Sequence, residues 1–340
     1  MTHRVPSLDP VASLAGAAGW ALFLDIDGTL LELAPHPDRV VVPAELPGRL
    51  QCLSRALGGA LALVSGRPLG GIDRLFPREL DAVGTHGAEW RLGGRIYGLA
   101  RADGGAERAG YAVGAGRGGQ RQTQQEAQRQ VRLSGAAGEG ERGGGIDSGG
   151  EDPIRAEVGP PAMTRLPLAG PARDLLARLE RLPGVWLEAK PQGLALHYRQ
   201  ATDQAMVTRE LVEAVLRALG PAYRLQAGKE VLEILPVQAS KGAGIRRLMA
   251  CPPYRGRTPV FVGDDLTDED GFAAVNALGG ISIRVGTGDG TQAQYRLVTP
   301  GALRDWLERL EIHLASAPAS VPAPASADPG GVECAAACLP

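Results

Sequence analysis

Two short apolar runs far apart in the chain, "ALFL" at 21–24 and "PVFVG" at 259–263, each lead straight into aspartates. Asp25 and Asp27 follow the first run, and Asp264 and Asp265 follow the second. Apolar runs this short read as buried strands. Burying a carboxylate is expensive unless it is paired or binds a metal. The chain is therefore constrained to a fold whose buried strands end together at an edge where acids are useful. The sequence between the runs supports this. "AELPGRLQCLSRALGG" places Leu46, Leu50, Leu53 and Leu57 at helical spacing, and Gly58 and Gly59 close it. "ALALVSGR" (60–67) is a second apolar run, ending in Ser-Gly-Arg. Strand, helix, strand is a βαβ unit and implies a parallel sheet. Ligands of such sheets bind beyond the carboxyl ends of the strands.

Further along, "DAVGTHGAEW" (81–90) reads as a strand and turn. From about Arg101 to Pro160 the chain is rich in Gly, Gln, Arg, Glu and Ala without apolar periodicity, so residues 103–158 read as a disordered insertion. Order returns with a helix at 171–184, two strands in "VWLEAKPQGLALHYR" (185–199), and a helix at 202–220 with Thr202 as its N-cap and Gly220 as its stop. A hairpin follows at 223–236. "SKGAGIRRLM" then opens a helix with Ser240 at the N-cap and Lys241 in the first turn, and "GISIRVG" and "PGALRDWLERLEI" supply a last strand and helix. The expected architecture is α/β: a Rossmann-like parallel-sheet core formed by 20–80 and 237–314, with a smaller α+β domain, 81–236, inserted between its halves. Residues 1–19 read as an N-terminal leader and 315–340 as a disordered tail.

Composition narrows the partners. Lys and Arg number 36 against 38 Asp and Glu, which gives no electrostatic reason to expect nucleic acid or an anionic membrane. No uncharged apolar run is long enough to span a bilayer, and the stretch before Asp25 reads as a strand rather than a secretory signal. Cys52, Cys251, Cys334 and Cys338 lack CxxC spacing, which argues against a zinc site and for a reducing cytoplasm.

Asp25, Asp27, Ser65, Asp264 and Asp265 all fall at expected strand ends. Carboxylates that converge without a cation raise one another's pKa. A hard divalent ion resolves the conflict, and Mg²⁺ prefers one or two carboxylates with water and phosphate oxygens. Lys241, near the positive end of a helix, attracts anions. Carboxylates, Mg²⁺, a hydroxyl and a lysine make a phosphoryl-transfer site.

"DIDGT", "SGR", "SK" and "GDDLTDED", in this order, resemble the four motifs of the haloacid-dehalogenase superfamily of phosphatases. The resemblance implies that Asp25 is the nucleophile and Asp27 the general acid and base. Ser65 and Lys241 would bind the transferring phosphoryl group. Mg²⁺ would be held by Asp25, the main-chain carbonyl of Asp27, and Asp264, with Asp265 and Asp268 outside them. The inserted domain would be the cap that selects the substrate.

"GTHGAE" (84–89), "WLEAKPQGLALHYR" (186–199) and "GKEVLEILP" (228–236) resemble the trehalose-6-phosphate phosphatases within that superfamily. That implies trehalose 6-phosphate as substrate, with Gly66, Arg67, His86, Glu188, Lys190, Arg199, Lys229 and Glu233 binding it. It also allows functional association with a separate synthase. On residue types alone, Glu188, Lys190 and Arg199 could instead form an exposed cross-strand ladder of ion pairs. His86 and His197 could be structural. Another sugar-phosphate phosphatase (acting on sucrose phosphate or mannosyl-phosphoglycerate) and a non-catalytic sugar-phosphate sensor are the alternatives.

Overall fold

The computed structural model describes Pro6 and residues 14–34, 39–99, 182–228, 230–288 and 290–316, with 170, 175 and 178 besides. The expected insertion at 103–158, most of the helix expected at 171–184, and Lys229 lie outside the described residues.

The large sheet begins with β1 (Trp20–Leu24), and α1 (Leu46–Ala56) leads into β2 (Leu61–Val64). A short helix, α2 (Leu69–Ile72), precedes β3 (Asp81–Gly84), β4 (Glu89–Leu92) and β5 (Arg95–Gly98). After the small sheet come α4 (Lys241–Met249), β10 (Thr258–Gly263), α5 (Glu269–Ala277), β11 (Ile281–Val285), β12 (Tyr295–Leu297) and α6 (Pro300–Ser316). The order across the sheet is β12-β11-β10-β1-β2-β3-β4-β5. Every pairing from β12 to β3 is parallel, and β4 and β5 are antiparallel additions at one edge.

β1 is apolar on both faces because helices cover both. Leu22 and Leu24 face α1 and α6, where Leu50, Leu53, Trp306 and Leu307 are fully or almost fully buried. Ala21 and Phe23 face the other layer, with Ile245, Leu248, Phe272 and Val275 of α4 and α5. Continuous apolar strands are what a parallel sheet covered on both sides requires. Trp20 stacks on Trp306 and Phe23 on Tyr254, with ring centroids 6.1 and 5.4 Å apart.

The second sheet has four antiparallel strands, β6 (Trp186–Lys190), β7 (Gly193–His197), β8 (Tyr223–Gly228) and β9 (Val231–Pro236), in the order β6-β7-β9-β8. The helix α3 (Ala205–Leu219) lies between β7 and β8 in sequence. One face of this sheet packs Leu194, Leu196, Leu232 and Ile234 with Val212 of α3. The other face is polar. Glu188, Ala195, Glu233 and Gln226 lie directly opposite one another across it.

Four expectations are corrected here. Residues 81–98 belong to the large sheet and not to the cap, because β3 pairs in parallel with β2 and recruits β4 and β5. Thr202 is not an N-cap: it opens a 3-10 turn, Thr202–Gln204, that runs into α3. The segment before β1 is not wholly a leader, since Leu14 and Ala17 are buried in the core. The last helix continues to Ser316, past the start expected for the tail. No helix among the described residues is long and apolar enough to cross a membrane.

Candidate active site

Three neighbouring strands of the large sheet deliver polar groups at their carboxyl ends. Asp25 follows β1, Ser65 follows β2 and Asp264 follows β10. The main chain keeps them in line: Asp25 N–H donates to Val262 O and Ser65 N–H to Val83 O, at 2.9 and 2.8 Å. β1 has its sequence neighbour β2 on one side and β10 on the other, the kind of switch point where open α/β sheets bind ligands.

Around Asp25 the groups are almost wholly buried. Lys241 donates to Asp25 Oδ1 at 2.7 Å and to Asp268 Oδ1 at 2.6 Å. It arrives there because Ser240, accepting from Ala243 N at 3.0 Å, caps α4 one residue earlier. Thr29 Oγ1 lies 2.9 Å from Asp25 Oδ2 and 3.3 Å from Asp264 Oδ1. Burial and the nearby Asp268 and Asp264 push the Asp25 carboxyl well above its ordinary range, and Lys241 only partly offsets them. Burial pulls the Lys241 ammonium down, but Asp25 and Asp268 overcome that and raise it.

Asp25, Asp264 and Asp268 each place a carboxylate oxygen within 4.8 Å of the others. Three hard oxygens around one point, with too little positive charge, suit Mg²⁺. Gly28 makes room for them. Its φ is +85°, and a Cβ there would run into the Asp264 carboxylate. Asp268 is already committed: besides Lys241, its Oδ2 accepts from the N–H groups of Asp264 and Asp265, both at 2.9 Å. It orients the loop that carries Asp264. Asp265, expected outside the metal ligands, caps the turn after β10 by accepting from Leu266 N–H at 2.7 Å.

Asp27 stands apart from that trio. Its carboxylate is held by Arg67, Nε to Oδ2 at 2.6 Å and Nη2 to Oδ1 at 2.7 Å. Arg67, expected to touch substrate, here grips an acid of the core with its fork. Its own N–H donates to Ser65 Oγ at 3.1 Å.

The polar face of the small sheet meets the β3 end of the large one. Thr85 and His86 both adopt left-handed backbone, with φ of 47° and 53°. Such residues cost on the order of 1–3 kcal/mol each and persist where their surroundings hold them. Here Thr85 N–H donates to Arg67 O at 2.9 Å, His86 N–H to Ser65 O at 3.1 Å, and Thr85 Oγ1 to the buried Glu89 at 2.9 Å. The turn aims His86 at the small sheet, where its Nε2 is 2.7 Å from Glu233 Oε2 and its Nδ1 3.1 Å from Gln226 Nε2. Burial keeps the imidazole below its usual pKa, against the pull of Glu233. A neutral ring fits both contacts if Nε2 donates to Glu233 and Nδ1 accepts from Gln226.

Lys190 bonds Glu233 and also donates to Gly66 O at 2.9 Å. Burial pushes the Glu233 carboxyl up, but Lys190 and His86 outweigh it and hold the group far below its usual range. This pair is buried, so the exposed ion-pair ladder is not what forms. Glu188 binds His197 at 2.9 Å, and that ring stacks on Trp186. Arg199 is separate from the Glu233 group, donating to Glu230 at 2.8 Å and to Ala34 O in the large domain at 2.9 Å.

Sequence reasoning named neither Glu89 nor Gln226. Glu89 sat within "GTHGAE" as a visible signal, whereas nothing local marks Gln226, whose role comes from lying opposite Glu233.

A model of the trehalose-phosphatase family matches residues 165–300. Trehalose-6-phosphate phosphatase of Escherichia coli (strain K12) is 37% identical over 300 residues, 86% of this chain and 87% of that one. A probable trehalose-phosphate phosphatase of Sinorhizobium fredii is 37% identical over 269 residues, 78% of each. Among solved structures, the C-terminal domain of the C. albicans trehalose-6-phosphate phosphatase shares the fold. Its TM-score is 0.59 at 18% identity, covering 93% of this chain and all of that one.

Proposed function

The chain belongs to the trehalose-phosphatase family, and we propose that it hydrolyses trehalose 6-phosphate to trehalose and phosphate through a phosphoryl group carried on Asp25. The observation behind this reading is the opposite bonding of the two acids on the β1 turn. Asp25 is buried against an ammonium and a hydroxyl, while Asp27 is held from the other side by a guanidinium and stays partly exposed.

In the first half-reaction a carboxylate oxygen of Asp25 attacks phosphorus and the bond from phosphorus to the sugar oxygen breaks. Asp27 gives that oxygen its proton. In the second, Asp27 takes a proton from water, the water oxygen attacks phosphorus, and the bond from phosphorus to the Asp25 oxygen breaks, which regenerates the carboxylate and frees inorganic phosphate. Ser65 and Lys241 donate to phosphoryl oxygens. To reach the leaving oxygen, Asp27 exchanges part of its bond with Arg67 for one with substrate. Mg²⁺, held by Asp25, Asp264 and the main-chain carbonyl of Asp27, would neutralise charge on the phosphoryl oxygens. At the sugar end, Glu188, Lys190, Arg199, Lys229 and Glu233 offer donors and acceptors to hydroxyls. A trehalose-6-phosphate synthase would supply the substrate, and a cytoplasmic setting suits the scattered cysteines.

Steady-state kinetics across trehalose 6-phosphate, sucrose 6-phosphate and other phosphorylated sugars test the assignment. Trehalose 6-phosphate should show the highest kcat/KM, and a clear preference for another sugar would replace it. Two variants extend the test. Asp264→Ala should raise the Mg²⁺ concentration needed for half-maximal activity by more than the ~10–100-fold typical of outer-shell changes. Chelation should silence the wild type reversibly, and full activity in excess chelator would rule out metal assistance. Glu233→Ala should cut kcat/KM for trehalose 6-phosphate at least about tenfold, because remote binding energy positions the phosphate. Hydrolysis of p-nitrophenyl phosphate should fall much less, and equal losses on both would move Glu233 out of sugar recognition.

A further inference from the structure

The loop Ser65–Arg67 is tied down by all three of its carbonyls. Ser65 O accepts from His86 N–H and Arg67 O from Thr85 N–H, at 3.1 and 2.9 Å, both from the turn after β3. Gly66 O accepts from Lys190 Nζ, at 2.9 Å, which reaches across from β6 of the small sheet. A Cβ at Gly66 would run into the His86 ring, so the loop is packed against that same corner. The loop presents the Ser65 hydroxyl, and through Arg67 it grips both oxygens of Asp27. A continuous series of bonded groups therefore runs from the small sheet to the acid of the core: ammonium, loop carbonyl, guanidinium, carboxylate. Lys190 also bonds Glu233, which His86 bonds in turn.

Resting on the reading that Ser65 and Asp27 serve phosphoryl transfer, we propose that Lys190 is a positioning residue for the phosphate end of the site. It sets the Ser65–Arg67 loop, and with it Asp27, in addition to any contact it makes with sugar. A residue that only touches sugar matters only to substrates that carry the sugar. A residue that sets the loop matters to every phosphate ester.

The test compares Lys190→Met and Lys190→Arg in the full chain with Mg²⁺. It measures kcat and KM separately on trehalose 6-phosphate and p-nitrophenyl phosphate, and the inhibition constant of inorganic phosphate. The methionine variant should lower kcat on p-nitrophenyl phosphate about tenfold or more and weaken phosphate inhibition. The arginine variant, which keeps a charged donor, should recover at least about a third of the lost rate, and no recovery would overturn the hydrogen-bond route. Lys190→Met strands Glu233 as a buried charge, which can unfold a protein by itself. The double variant Lys190→Met/Glu233→Leu removes that charge, and its p-nitrophenyl phosphate rate should remain low. A p-nitrophenyl phosphate kcat within about twofold of wild type in the double variant would overturn the proposal and leave Lys190 a sugar contact only. A wild type that cleaves p-nitrophenyl phosphate but not trehalose 6-phosphate would refute the substrate assignment alone, since the comparison of variants on the generic ester still stands.

Discussion

Asp25→Asn should abolish turnover while the chain stays folded. An amide cannot attack phosphorus, so kcat should fall at least about 10³-fold, or roughly 4 kcal/mol of activation free energy at about 1.36 kcal/mol per decade. The substitution is nearly isosteric. The carbonyl oxygen of the new side chain can still accept from Lys241, and the Thr29 hydroxyl can turn to accept from its amide nitrogen. In metal-free buffer at neutral pH the variant should melt no lower than wild type. Burial and neighbouring acids already disfavour the charged form of Asp25, and a neutral side chain relieves that. Rapid quenching with radiolabelled substrate should trap phosphate on Asp25 in the wild type and none in the variant. Label on another residue would refute the assignment, and a variant that turns over within about tenfold of wild type would refute the nucleophile outright.

Lys241→Met should lose both turnover and stability. Its ammonium separates Asp25 from Asp268, and all three side chains are at most 5% exposed. Removing one partner of a buried ionic group typically costs about 3–5 kcal/mol, because the charges left behind are uncompensated. For a chain this size that is a fall in Tm on the order of 10 °C. The pH dependence carries a sign. In the wild type, Lys241 holds its proton more tightly folded than unfolded, so its contribution is complete below the unfolded lysine value near 10.4 and is lost only as pH rises through the folded one. In the variant, Asp25 loses its lowering partner and binds its proton still more tightly than in the unfolded chain. Metal-free, the variant should therefore gain stability as pH falls from 7 towards the unfolded aspartate value near 3.9. A Tm that does not rise on acidification would show that Lys241 does not compensate these acids.

Local signals carried most of the core. β1, α1, β2 and β10 were legible because an apolar strand that ends in acids, or a leucine repeat closed by glycines, is written within one short stretch. The small sheet's strands were legible for the same reason. Sheet membership was not: β3 to β5 looked like part of the cap because periodicity says that a segment is a strand and nothing about which strand it joins. The placements of single residues divide along the same line. Asp25, Lys241 and Asp264 came together where their motifs implied. Arg67 turned inward to Asp27, 40 residues away, and Asp265 spent its carboxylate on a cap. Both outcomes depend on what stands beside a residue in space, as does the pairing of Gln226 with His86.

The position of β1 has a bearing on how the chain is made. One long side of this wholly buried strand is satisfied by β2, only a few dozen residues later, but the other waits for β10, near the end of the chain. While a ribosome synthesises the intervening residues, β1 offers an open, apolar edge of the kind that recruits neighbouring chains. Distant pairings of this sort also slow folding, because a large loop must close before they form. The strand that leads into Asp25 thus keeps an unpaired edge until residue 263 has been added.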